Sequence, residues 1–437
     1  MRKRFFKKAL ALTLASTMAF SMVGCGSSSK DSSEGKSDDG TITLNVWHQW
    51  SNDTNELKGR YEEAVKAYEK ENPKVKIKTE TLDTEAYKTK INAEFAGDAK
   101  GIDVFYWWGA GTAKKLVDAG KVMPLDDYIT DEVKSNMMEG ATSAFEYDGK
   151  LYSVPMFSWY MTLFCNKALF EKAGAKLPNT YDELVDAVKK LEKIKGVTPM
   201  AAGAKDGWNA AFVYQALALR EVGATGVNDM LSGKKEFGDE GYTKAAEKVK
   251  DLYEMGAFGD NPLEQGNDDA NAAFENGKAA MRIMGSWFAN NVYTDKAATI
   301  KPEDVVALKI PTISDGKGEA TDYCGGFVES FWVNNNTKYK EEAAKFAIYI
   351  NEKMGVASYE TGSGFSGWKT KADESKLNPL FIQIKDLLSE GKQGVLAWDT
   401  SLEAEPAAVH NEQVQTLFAD GADVKAFIEE HKAAING

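Results

Sequence analysis

Trp50, Trp107, Trp108, Trp208, Trp287, Trp368 and Trp398 are the side chains of this sequence best suited to one particular chemistry. They follow strand-like runs or lie in Gly-rich and loop-like stretches. A flat aromatic face stacks on the apolar C–H face of a neutral sugar, whose hydroxyls then need planar donors and acceptors. His48, Gln49, Asn52, Asp53, Asp322, Glu329 and Asp399 are the candidates near those rings. Core packing is the competing account of any single tryptophan, and Trp47 and Trp332, inside strand-like runs, are assigned to the core. A cluster of tryptophans at strand ends points instead to a ligand site, because loops lie at the surface.

Catalytic readings find less support. A glycosidase needs two opposed carboxylates in different environments, and among 66 acids no pair is marked out. No Gly-x-Ser-x-Gly elbow is present. Gly109-Ala110-Gly111 follows a strand like a nucleotide loop, but Lys114 stands where that fingerprint needs Gly or Ala. It reads as a tight turn that lets backbone approach a ligand or a helix. The three histidines (His48, His410, His431) lack metal-ligand spacing, and no Cys-x-x-Cys occurs. No catalytic residue, metal or cofactor is expected.

Composition narrows the partners. The 437 residues carry 53 basic and 66 acidic side chains, a net charge of -13. Without the five N-terminal cations the charge is about -18, which repels nucleic-acid phosphates. Arg2, Lys3, Arg4, Lys7 and Lys8 precede an apolar run, Ala9 to Val23, of signal-peptide length. Residues 1–24 are therefore expected to be a signal peptide. Met22-Val23-Gly24-Cys25 resembles a bacterial lipoprotein box, with Met22 in place of the usual leucine; the alternative is an ordinary secreted protein with a stray cysteine. In the lipoprotein reading Cys25 carries lipid, and the Ser-, Gly- and charge-rich residues to Gly40 form a tether. The body then works on the extracellular face of the cytoplasmic membrane. Cys165 and Cys324 sit in apolar contexts; they read as packed thiols, with a disulfide left open.

The elements that must position the tryptophans follow from periodicity. Thr41–Trp47, Val75–Thr81 and Ile102–Trp108 read as strands, and Leu57, Tyr61, Val65 and Tyr68 mark an intervening helix. Thr180-Tyr181-Asp182-Glu183 has the form of a capping box. Tyr242–Met255, Glu341–Lys353 and Asn411–Phe418 are helical. Such alternation predicts α/β lobes built on mainly parallel sheets, which bind ligands beyond the carboxyl ends of their strands.

In this order the motifs resemble the extracytoplasmic solute-binding proteins of carbohydrate importers driven by an ATP-binding cassette, the maltose-binding-like family. The resemblance rests on Ile102 to Gly111 with Leu116-Val117-x-x-Gly120 and Pro124-Leu125. It continues through Val154-Pro155, Asn166-Lys167-x-x-Phe170-x-x-x-Gly174, and Phe274-x-x-Gly277-Lys278-Ala279-Ala280-Met281 before Gly285-Ser286-Trp287. Gly325-Gly326 and Glu342 to Phe346 complete it. It implies a type II periplasmic-binding-protein fold, with two α/β lobes closing on sugar about a hinge. The first lobe would comprise residues 41–154 plus 330–372, the second 156–328 plus 375–437. By residue match, Trp107 or Trp108, Trp287 and Trp398 are stacking aromatics, Gln49 and Trp50 form the polar-contact loop, and Trp208 is a cleft aromatic. Gly326 and Glu329 fall at a lobe crossing. The expected partners are a neutral oligosaccharide and membrane permease subunits, bound by a monomer without nucleic acid. A phosphodiester or amino-sugar ligand is the alternative, and a surface adhesin the alternative from another class. Cleft loops look poor in Lys and Arg, Arg282 being the nearest exception.

Overall fold

The computed structural model describes residues 40–52 and 55–437. The predicted leader, Cys25, the tether before Gly40, and Asp53 lie outside them. Among the described residues no helix is long and apolar enough to cross a membrane.

Two sheets organise the chain. In the first, β1 (Ile42–His48) pairs in parallel with β2 (Val75–Thr81) and with β3 (Val104–Trp108). Their alternating or continuous apolar runs bury Leu44, Val46, Val104 and Phe105 completely. After the small hairpin β4 (Glu146–Tyr147) and β5 (Lys150–Leu151) comes the ten-residue β6 (Phe157–Asn166), centre of the second sheet. Around it lie β7 (Thr198–Met200), β8 (Ala279–Gly285), β9 (Val305–Leu308) and β10 (Asp322–Phe327). The chain then returns to the first sheet as β11 (Glu329–Val333), antiparallel to β3. The two-residue β12 (Phe365–Ser366) and β13 (Gln393–Val395) complete the second sheet. The expected parallel order therefore holds for β1, β2 and β3. In the second sheet, by contrast, β6 runs antiparallel to β8, β9, β10 and β12. Helix-strand alternation in sequence does not reveal this, because the partners of β6 arrive from more than a hundred residues away.

Each sheet carries its own core. Leu44, Val104, Phe105, Phe331, Trp332, Ile350 and Met354 centre the first; Leu163, Phe164, Met200, Tyr214, Met281, Phe288 and Val414 centre the second. We call the two bodies the first and second lobes. The chain passes between them at Phe157–Trp159, at the single residue between β10 and β11, and again after Trp368. Gly325 belongs to the second passage. Its φ of 137° suits glycine, and a methyl there would collide with the Trp159 carbonyl.

The capping box forms as read: the Thr180 hydroxyl accepts from the Glu183 amide and the Glu183 carboxylate accepts from the Thr180 amide, opening the helix Tyr181–Leu191. Cys165 and Cys324 are both buried free thiols. In the β6–β10 register Gly325 faces Tyr160, so Cys324 sits four residues along β6 from Cys165, out of bonding reach.

Candidate ligand cleft between the lobes

The first wall of the cleft is set by the helix Thr84–Ala96. Asp83 caps it by accepting from the Ala86 amide at 3.1 Å. Tyr87, Ile91 and Phe95, spaced by four, bury its inner face. The Tyr87 hydroxyl donates to the carbonyls of Tyr106 (2.6 Å) and Trp47 (3.2 Å), tying the helix to the ends of β3 and β1. Lys88, one position on and so about 100° round the helix, reaches over Trp108, its ammonium 5.2 Å from the ring centre.

Trp107 and Trp108 alternate across the end of β3, as strand geometry requires. Trp107 is 4% exposed, whereas Trp108 keeps free ring surface. Of the two, Trp108 is the ring left partly open at the first wall. Behind it, Glu329 is buried with the Tyr106 hydroxyl and Trp108 indole beside it. Burial pushes its carboxyl up to about 7, against the opposing pull of Lys88.

The second wall is aromatic. Trp208 and Trp287 are half-buried, their ring centres 6.4 Å apart. A methyl on Gly285 would collide with the Trp287 ring, so glycine there lets the indole lie on the strand backbone. Trp159 braces it edge-on at 5.0 Å and itself stacks on Phe212 at 5.3 Å. Beneath them Arg282 is fully buried, donating to Asn209 Oδ1 (3.2 Å) and Asn267 Oδ1 (2.9 Å). Burial lowers its pKa to about 9 while Glu275, Asp268 and Asp206 work against that fall. It is a buried support of the wall, not the free cation that an anionic ligand would need.

The lobes touch. Lys88 also lies 5.8 Å from the ring centre of Trp208, in the opposite lobe. The Thr112 hydroxyl donates to the carbonyls of Asp399 (3.4 Å) and Thr400 (3.3 Å). Gly109-Ala110-Gly111 is the tight turn expected: Ala110 has a φ of 53°, and a methyl on Gly111 would collide with the Ser401 and Leu402 carbonyls. Several buried polar atoms have no protein partner, among them Asn209 Nδ2 beside Arg282 and Asp399 Oδ1 beside the Thr112 contact. Leaving such groups unpaired costs about 1–3 kcal/mol each.

Besides Trp107, four of the candidate site residues are placed in the interior. His48 and Trp50 pack in the first core against Tyr61 and Phe331, and the His48 ring accepts from the Trp50 amide at 3.2 Å. Trp368 is 1% exposed and donates to the Pro155 carbonyl at 2.6 Å, bracing a lobe passage. Trp398, also 1% exposed, stacks on His410 at 4.9 Å with Tyr214 and Tyr242 edge-on. Rings so enclosed have no face to offer a sugar in this arrangement. Gly326 pairs with Trp159 in the β6–β10 ladder. Asp322 accepts from the Ala224 and Glu319 amides, a structural role away from the tryptophans. Lys88 and Asp206 are the cleft and supporting groups that spacing did not mark, whereas Trp159 belongs with the aromatics that follow strand-like runs; Lys88 is a basic side chain at the cleft besides the Arg282 that the sequence offered.

The fold and this aromatic, two-walled cleft define a two-lobed receptor for a small polar solute. Residues 52–357 match the model of the bacterial extracellular solute-binding protein family, to which the chain belongs. These are receptors of carbohydrate importers, not enzymes. The multiple sugar-binding protein of Streptococcus mutans is 24% identical over 396 residues, covering 86% of each chain. The galactooligosaccharide-binding protein of Bacillus subtilis is 28% identical over 84% of this chain and 82% of its own. A solved structure from work on xylan utilisation by the thermophile Caldanaerobius polysaccharolyticus shares 36% identity, with a TM-score of 0.85 over 90% of this chain and 99% of its own.

Proposed function

We propose that this protein captures a neutral oligosaccharide between Trp108 of the first lobe and Trp208 and Trp287 of the second, and delivers it to membrane permease subunits. The observation that carries the reading is that Trp108 and Trp208, each with free ring surface, lie within 5.8 Å of one and the same ammonium across the cleft. Sugar touching both walls favours the closed state only by the contacts it adds there, and so shifts the population toward the form a permease can recognise. Residues 41–154 plus 330–372 and 156–328 plus 375–437 are the bodies that move. Cys25 would carry the lipid that holds the monomer at the outer face of the membrane.

Charge favours a neutral ligand. Glu85, Asp206, Glu329 and Asp399 gather at the cleft against the ammonium groups of Lys88 and Lys205, an acidic setting that disfavours phosphate. The relative studied in xylan utilisation makes the xylo-oligosaccharide series the first to try. A thermal-shift screen of xylo-, malto-, manno-, cello- and galacto-oligosaccharides tests the proposal, with amino sugars and sugar phosphates alongside. Ligand at a hundred times its dissociation constant adds about 2.7 kcal/mol. A shift confined to one neutral series supports the reading; shifts only with charged sugars, or retention on insoluble xylan without any shift, would replace it.

A further inference from the structure

Lys88 belongs to the first lobe by its helix, yet its ammonium lies over rings of both lobes, 5.2 Å from Trp108 and 5.8 Å from Trp208. Its hydrogen bond to Glu85, 3.1 Å long, is an ordinary i,i+3 surface pair with Glu85 half exposed, and such pairs contribute little. The helix surface therefore does not dictate where the ammonium goes; the two indole faces and the carboxylates behind them do. Glu85 lies near enough to Asp206 and Asp399 of the second lobe for its charge to disfavour both carboxylates. Lys88 is the cation set among them.

We propose that Lys88 is a positioning residue that holds the empty receptor closed: its ammonium occupies the space between Trp108 and Trp208 that the ligand fills, and it must leave for sugar to stack. The inference rests on the proposed cleft and adds to it a competing, ligand-free closed state. Binding then starts from a population partly locked by its own side chain, which lowers apparent affinity by the locked fraction.

Small-angle scattering of the ligand-free full-length chain tests this. Cation–π contacts of this kind contribute about 0.5–1 kcal/mol at exposed sites, and only the one to Trp208 crosses between lobes, so Lys88→Gln should raise the open-to-closed ratio by about two- to fivefold and enlarge the radius of gyration. Lys88→Arg keeps a cation over the rings and should scatter like the wild type. Circular dichroism melts confirm that each variant is folded. Identical scattering for Lys88→Gln and wild type would overturn the proposal, as would opening of Lys88→Arg to the same extent. For any oligosaccharide that binds, Lys88→Gln should raise affinity by up to about fivefold; a loss of affinity would mean that Lys88 holds the sugar and does not vacate the site. If no sugar binds, the ligand reading fails while the scattering comparison still decides this one.

Discussion

Glu329 and Trp108 face each other as the end pair of the β11–β3 ladder, at the point where the chain re-enters the first lobe from the second. The pairing places a buried carboxyl directly beside the proposed stacking platform. Burial lifts that carboxyl from its ordinary 4.5 to about 7. The folded state thus holds the proton more tightly than the unfolded chain does. Stability from this group is complete below pH 4.5 and is lost as pH rises to 7, on the order of 3 kcal/mol in all. Glu329→Gln should flatten that part of the pH profile. Urea unfolding of both proteins at pH 4.5, 5.5 and 7 measures it; parallel profiles would refute the assignment.

Histidines act in the opposite direction. Gln215 donates to His410 Nε2 (2.9 Å), His410 Nδ1–H then donates to His431 Nε2 (2.9 Å), and His431 Nδ1–H to the Phe427 carbonyl (2.9 Å). This sense of the chain follows from the Gln215 amide oxygen accepting the Trp398 N–H. Both rings must be neutral for it to hold. Burial keeps His410 well below 6.5 and His431 down at about 4. Their stabilisation is present above pH 6.5 and is lost as pH falls toward 4. His431→Leu should be less stable at pH 7, since His410 loses its acceptor, yet lose less between pH 6.5 and 4.5. An unchanged acid slope would contradict the chain.

Gly111 isolates closure from folding. Its Cα lies against the Ser401 and Leu402 carbonyls of the other lobe, within space no methyl can share. Gly111→Ala should leave the melting temperature of the empty protein within a few degrees of wild type. Its scattering radius should increase, and affinity for any ligand held by both lobes should fall at least tenfold. A variant that closes normally would show that the lobes do not meet here in solution.

Trp398 separates core from cleft. Enclosed by His410, Tyr214 and Tyr242, it should cost about 3–5 kcal/mol when replaced by alanine. The half-buried Trp208 should cost far less stability when so replaced. Chemical denaturation of the two variants compares them directly, and equal losses would put Trp208 in the core too.

Much of the first lobe was legible because local periodicity and local burial agree there: Leu57, Tyr61 and Tyr68 are buried as their spacing implied. Among the aromatics, sequence located the ends of strands but not the direction of each ring. Trp107 and Trp108 differ by one residue, and the strand's alternation sends only the second to the cleft. Trp398 and Trp368 looked like loop residues, yet distant helices close over them. Lys88 was invisible because its role depends on Trp208, 120 residues away, meeting it across an interface that no pattern in its own helix encodes. The antiparallel setting of β6 was hidden for the same reason.

The central claim is that ligand is gripped by both walls at once. Titration calorimetry of the wild type, Trp108→Ala and Trp208→Ala with the oligosaccharide that gives the largest thermal shift tests it most directly. The account predicts that each substitution, one per lobe, weakens binding by about tenfold or more, near 1.4 kcal/mol, with both variants folded. Unchanged affinity in either one would contradict it.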